Sequence, residues 1–166
     1  MKTLRLFTDG SVNPESKVGY GAYLVVSLEE SYLESLKTNV KIKKFEQTSS
    51  TKLELQTLVW ALNTIQGQGL KIVIFSDSQN IIGLLGRRAR FGQNNYRSKK
   101  NKRIKNYRLY QDFFRIVDGL DCKFIKVQGH KASHSKDEID KFFSLVDKTS
   151  RKFLRRRENY VDQGQG

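Results

Sequence analysis

The sequence predicts an α/β fold in which a five-stranded mixed sheet is flanked by helices. Three observations carry this reading. Three β-like stretches follow one another within the first 47 residues and read as an antiparallel meander. The apolar run Leu70-Lys71-Ile72-Val73-Ile74-Phe75 has the character of a central strand buried on both faces. Amphipathic helical stretches then alternate with one more strand, giving the order β-β-β-α-β-α-α-β-α.

The first strand rests on Leu4, Leu6 and Thr8 alternating with Arg5, Phe7 and Asp9, a period of two that makes two distinct faces. Asp9-Gly10 is expected to stop it, leaving a carboxylate at the end of a rigid element; an ordinary hairpin turn is the plain alternative. Residues 11–16 contain the only proline and read as a turn. Val18–Ser27 is the second strand, and Gly19 and Gly21 within it imply that another backbone passes close by. Residues 28–36 are ambiguous between an insertion and one helical turn, and 37–47 form the third strand.

Thr48-Ser49-Ser50-Thr51 supplies hydroxyls to cap a helix whose Leu55, Leu58, Val59, Leu62 and Ile65 make one buried stripe. Glu54 is expected in its first turn, where the helix dipole alone would favour an acid. Gly67 and Gly69 end this helix. The strand that follows closes on Ser76-Asp77, the same grammar as Thr8-Asp9, and this places Asp9 and Asp77 side by side. Ile81, Ile82, Leu84 and Leu85 open a short helix, and Leu109, Phe113, Ile116, Val117 and Leu120 mark another. Asp121–Gln128 is the last strand and ends at Gly129-His130, before a polar loop over 131–137. The final helix runs from about Asp137 to about Arg157 with Ile139, Phe142, Phe143, Val146, Phe153 and Leu154 on its apolar side. Residues 1–158 are read as a single domain and 159–166 as a flexible tail.

Thirty-one Lys and Arg against seventeen Asp and Glu leave a net charge of +14. The charge is clustered: Arg87 to Arg108 holds ten basic residues and no acid, and Lys148 to Arg157 holds six and no acid. Clustered cations point to a polyanionic partner, because every phosphate they neutralise releases counterions. Phe91, Tyr96 and Tyr107 interleave with the first cluster, which favours a phosphate-tracking surface over a merely solvated loop. Cys122, the only cysteine, rules out an internal disulfide and reads as a small buried hydrophobe; a cytoplasmic setting is expected. No stretch reaches the roughly 18 apolar residues of a membrane span.

Four pieces of local text, in order and on the expected elements, carry a resemblance. They are Thr8-Asp9-Gly10-Ser11, Thr51-Lys52-Leu53-Glu54-Leu55, Ser76-Asp77-Ser78-Gln79 and Val127-Gln128-Gly129-His130. Together they resemble the type 1 ribonuclease H family over nearly the whole chain. The basic stretch is similar to that family's cationic protrusion, with Lys99-Lys100, Lys105-Asn106 and Leu109-Tyr110-Gln111 matching its closing end. Two features depart from the family text. The turn after Asp9 lacks the usual Gly-Asn-Pro-Gly, and Ser50-Thr51 stands where the family has Asn-Asn, so recognition of the RNA 2′-hydroxyl there has to differ.

The resemblance implies an RNase H-like fold and hydrolysis of the RNA strand of RNA/DNA hybrids by a monomeric enzyme using two Mg²⁺ or Mn²⁺ ions. It assigns Asp9, Glu54, Asp77 and a fourth carboxylate as catalytic metal ligands, with His130 assisting proton transfer or product departure. Counting from His130 points to Asp140 for the fourth, whereas the local text Val146-Asp147-Lys148-Thr149-Ser150-Arg151 points to Asp147. The two lie about 10 Å apart along one helix face, so only one can join the site, and the text match favours Asp147. An all-oxygen donor set of this kind suits Mg²⁺ or Mn²⁺ rather than zinc. Expected nucleic-acid contacts are Ser11, Ser50, Thr51, Ser78, Gln79, Arg87, Arg88, Arg90, Arg97, Lys99, Lys100, Lys102 and Arg103. The alternatives are a DNA-directed nuclease of the same fold and a non-catalytic binding module.

Overall fold

A computed structural model describes residues 2–27, 39–65, 70–128 and 137–164, with side chains described as far as Val161. The elements run β1 (Lys2–Asn13), β2 (Val18–Ser27), β3 (Lys41–Phe45), α1 (Ser50–Ile65), β4 (Leu70–Ser76), α2 (Gln79–Ile82), α3 (Leu84–Gln93), α4 (Tyr107–Asp118), β5 (Asp121–Lys126) and α5 (Glu138–Gly164). The five strands form one mixed sheet in the order β3-β2-β1-β4-β5, with β1 antiparallel to β2 and parallel to β4. No helix among the described residues is long and apolar enough to cross a membrane.

Each face of the sheet has its own apolar layer. Leu6, Leu58, Leu62, Ile72, Ile74 and Phe113 lie in the layer beneath α1 and α4. Phe7, Leu24, Phe75, Phe142 and Val146 form the layer beneath α5. The alternation of Leu6 and Phe7 along β1 delivers one side chain to each layer, so β1 is covered on both faces.

β1 does not stop at Asp9-Gly10. It continues to Asn13, with Gly10 opposite Gly21 in the β1–β2 register, and the turn falls at residues 14–17. The reason is tertiary. A Cβ at Gly10 would lie 2.8 Å from Leu53 Cδ2, one at Gly19 would lie 2.7 Å from the same atom, and one at Gly21 would collide with Thr57. Glycine here clears room for α1 to sit close on the sheet, and it is the Leu53 and Thr57 side chains, not another backbone as expected, that come closest to Gly19 and Gly21; the same packing corrects the turn reading of Gly10.

Three other expectations also change. A third helix appears between β4 and β5, because Gly83 separates α2 from α3. The stretch from Arg87 is helical as far as Gln93, and only about 94–106 is loop. Phe91 and Tyr96 pack on each other with centroids 5.8 Å apart, and Phe91 also meets Tyr110, so these aromatics anchor the loop to α4. α5 is helical past Arg157, through Gly164. Residues 28–36, Gly67, Gly69 and 131–136 lie outside the described residues.

Candidate active site

The site grows from an aromatic stack. Phe7 and Phe75 are partners in the parallel β1–β4 register, and their rings stack 4.8 Å apart. Phe142 of α5 meets Phe7 edge-on at 5.5 Å. Asp9 and Asp77 follow Phe7 and Phe75 by two residues each, and side-chain alternation brings the two carboxylates up beside one another. Asp147 follows Phe142 on α5, and its carboxyl group shares a hydrogen bond with Asp9. Glu54 enters from the opposite face of the sheet. It lies in the second turn of α1, not the first, so dipole stabilisation at a helix start does not account for it. Thr8, Asp9, Glu54, Ser76 and Asp77 line one narrow cleft.

Crowded carboxylates hold protons. Asp9 is pushed up to about 9, first by burial, then by the hydrogen bond with Asp147 and the charge of Asp77. Burial also raises Glu54, helped by Asp77 and opposed by a hydrogen bond from Ser78. Among the described residues no three His, Cys, Asp or Glu side chains converge closely enough to enclose an ion as they stand. Asp9, which keeps its proton, is instead hydrogen-bonded to Asp147. The donors gathered about the β1–β4 ends are all carboxylate oxygens. In donor type Asp9, Glu54, Asp77 and Asp147 suit a hard divalent ion, which would draw their oxygens closer together than they stand.

Asp140 has a different position. Asp137 Oδ1 accepts from the Asp140 backbone N–H at 2.8 Å, and Asp140 Oδ2 accepts from the Asp137 N–H at 3.2 Å. This reciprocal pair caps the start of α5, with Asp140 buried two turns before Asp147.

The residues expected to touch nucleic acid divide into distinct groups. Ser50 and Thr51 are exposed at the start of α1, and Arg90, Lys99, Lys100, Lys102 and Arg103 are exposed around the 94–106 loop. Arg97 is half-buried and donates to the Asn101 carbonyl at 3.0 Å. Arg87 is turned inward, donating to Asn80 Oδ1 at 2.8 Å, and Arg88 is clamped on Asp118 while lying over the Phe114 ring. Gln79 Oε1 accepts from Lys126 at 2.8 Å. Ser78 is buried: its hydroxyl donates to Glu54 Oε2 at 2.7 Å and accepts from the Ile81 N–H, so it orients the carboxylate and caps α2 instead of facing a ligand. Ser11 is half-buried, its Oγ 3.1 Å from Ser150 Oγ. His130 lies outside the described residues.

Two neighbours of Asp147 were not foreseen. Ser150 is fully buried, and its hydroxyl both meets Ser11 and donates to the Asp147 carbonyl at 2.9 Å, which ties α5 to β1 beside the site. Arg151 pairs with Asp147 Oδ2 at 2.7 Å. The i, i+4 spacing signals the second of these, and a polar residue on the sheet-facing side of α5 signals the first.

Known proteins share the sequence and the fold. The RNase H family model matches residues 1–145, ending two residues before Asp147. A ribonuclease HI of Haemophilus influenzae is 30% identical over 141 residues, 83% of this chain and 84% of its own length. A ribonuclease H of Clostridium botulinum is 26% identical over 144 residues, 85% of this chain and 93% of its own length. Among solved structures, LC9-RNase H1, described as a type 1 RNase H with the type 2 active-site motif, aligns with a TM-score of 0.68 at 17% identity, covering 91% of this chain and 71% of that one. A foamy viral protease-reverse transcriptase in complex with double-stranded DNA aligns at 0.61 and 10% identity, over 90% of this chain and 93% of that one. These two likenesses concern the fold. The family match, the relative in Haemophilus and a mixed sheet with acids gathered at the β1–β4 junction lead to one conclusion: this chain belongs to the RNase H family.

Proposed function

We propose that Asp9, Glu54, Asp77 and Asp147 are the catalytic carboxylates of this ribonuclease H, which hydrolyses the RNA strand of RNA/DNA hybrids. One observation carries the assignment: Asp9, Asp77 and Glu54 line one cleft at the ends of β1 and β4, and Asp147 of α5 is hydrogen-bonded to Asp9. A fold keeps acids in such repulsive proximity at a cost, and a function that needs a concentrated negative site supplies the reason.

Two Mg²⁺ or Mn²⁺ ions held by the four carboxylates would supply an activated water and stabilise the leaving oxygen of a phosphodiester. The protein's own part is to hold those oxygens in place. The Phe7–Phe75 stack aligns the strands that carry Asp9 and Asp77, while Glu54 is held by Ser78 and Asp147 by Arg151 and the Ser150 seam. His130 is proposed to assist proton transfer or product departure. The exposed hydroxyls of Ser50 and Thr51 adjoin Glu54 and suit contact with RNA 2′-hydroxyls, while the 94–106 loop suits the DNA phosphates. The reading is completed by a monomer made of one domain, in a reducing cytoplasmic setting compatible with the lone thiol of Cys122.

The test is cleavage of end-labelled RNA/DNA hybrid, duplex RNA and duplex DNA in Mg²⁺ and in Mn²⁺. Cutting confined to the RNA strand of the hybrid is expected. Preferential cutting of duplex DNA would instead mark a DNA-directed nuclease, and tight hybrid binding without cutting would mark a binding module.

A further inference from the structure

The second basic cluster, on α5, enters the site just described only through Arg151. Its members differ in how they are engaged. Arg151 is spent on Asp147, and Arg156 lies over the Phe153 ring. Lys148, Lys152 and Arg155 are exposed and make no hydrogen bond or ion pair among the described residues. Their i, i+4, i+7 spacing sets them in one row along a helix face, spanning about 10 Å. Duplex nucleic acid carries one charge per ~3.4 Å of axis on each strand, so this row matches about three phosphates.

Position strengthens the argument. α1 and α4 cover one face of the sheet, and the 94–106 loop packs on α4 through Phe91 and Tyr96. α5 covers the other face. The carboxylates lie between them, with Glu54 contributed from the α1 side and Asp147 from the α5 side. The α5 row begins one residue after Asp147 but about 100° around the helix from it, on the side where Lys148 and Lys152 flank Val40 and Ile42 at the β3 edge of the sheet. Arg87 and Arg88 must break contacts with Asn80 and Asp118 to serve a phosphate. The three cations of α5 are available without such a loss.

We propose that Lys148, Lys152 and Arg155 form a second phosphate-tracking surface on α5, which grips the bound hybrid on the side of the catalytic cleft opposite the 94–106 loop. The proposal rests on the ribonuclease H reading for its substrate, and the test separates the two.

Binding of a labelled hybrid is measured in EDTA as a function of salt for the wild type, for Lys148→Gln/Lys152→Gln/Arg155→Gln, and for the charge-matched control Lys2→Gln/Lys71→Gln/Lys123→Gln. The control residues are exposed, and Lys2 and Lys71 lie at the end of the sheet away from Asp9. In the α5 variant the slope of log K against log salt is expected to shrink by about 2–3, with binding about tenfold weaker near 0.1 M salt. The control is expected to keep the wild-type slope, and Lys152→Gln alone to lower it by about 1. An unchanged slope in the α5 variant, or an equal loss in the control, overturns the proposal. Cleavage by the wild type in Mg²⁺ reports separately on the ribonuclease H reading. A reduced slope without cleavage would keep the α5 surface and remove that reading.

Discussion

Asp9 holds its proton to about pH 9 in the metal-free fold because it is buried, bonded to Asp147 and repelled by Asp77. An unfolded aspartate releases its proton near 4. Between those values the native state binds a proton that the unfolded chain has lost, so this residue's stabilising contribution is complete below about 4 and falls as pH rises to about 9. Urea denaturation in EDTA should therefore show stability declining across that range. In Asp9→Asn the decline should flatten, and the variant should be more stable than the wild type at pH 8 by on the order of 1–3 kcal/mol, with hybrid cleavage abolished. An equally steep decline in Asp9→Asn would place the titrating group elsewhere. At this scale the sequence is largely readable, since Thr8-Asp9 and Ser76-Asp77 repeat one pattern on two strands. The choice between Asp140 and Asp147 is not, because local text cannot show that Asp140 is spent on capping Asp137.

Elements owe their placement to close packing that sequence patterns record only indirectly. Gly10, Gly19 and Gly21 all lie under α1, and a Cβ at Gly21 would strike Thr57, which is itself fully buried and bonded to the Leu53 carbonyl at 2.7 Å. Gly21→Ala should cost about 2–4 kcal/mol, and Gly21→Ala with Thr57→Ala should recover part of it, read as thermal or urea midpoints. A neutral Gly21→Ala would mean that α1 sits farther from the sheet. The same packing explains why Asp-Gly reads as a turn while the strand in fact runs on: glycine serves both purposes, and only the helix above decides between them. The helical start of the Arg87–Arg108 stretch is hidden for a related reason. Its charges mask a period that shows once Phe91 is seen packing on Tyr110.

The whole molecule combines a strongly cationic surface with one buried knot of acids. A divalent ion that binds the folded chain alone stabilises it by mass action, by ~2.7 kcal/mol at a hundred times its dissociation constant. Adding Mg²⁺ at pH 8 should thus raise the melting temperature of the wild type and leave that of Asp9→Asn nearly unchanged; equal shifts in both would signify binding outside the knot. The fold class was legible at this scale because strand order and apolar periodicity agree, and the aromatic stack of Phe7, Phe75 and Phe142 then carries acids from three elements to one place. The most direct test of that convergence is the rate of hybrid cleavage in Mg²⁺ by Asp147→Asn beside Asp140→Asn. Asp147→Asn should lose at least a hundredfold, while Asp140→Asn should keep near wild-type cleavage and lose about 1 kcal/mol of stability with its cap. The opposite pattern, cleavage surviving in Asp147→Asn and lost in Asp140→Asn, would contradict the site as described.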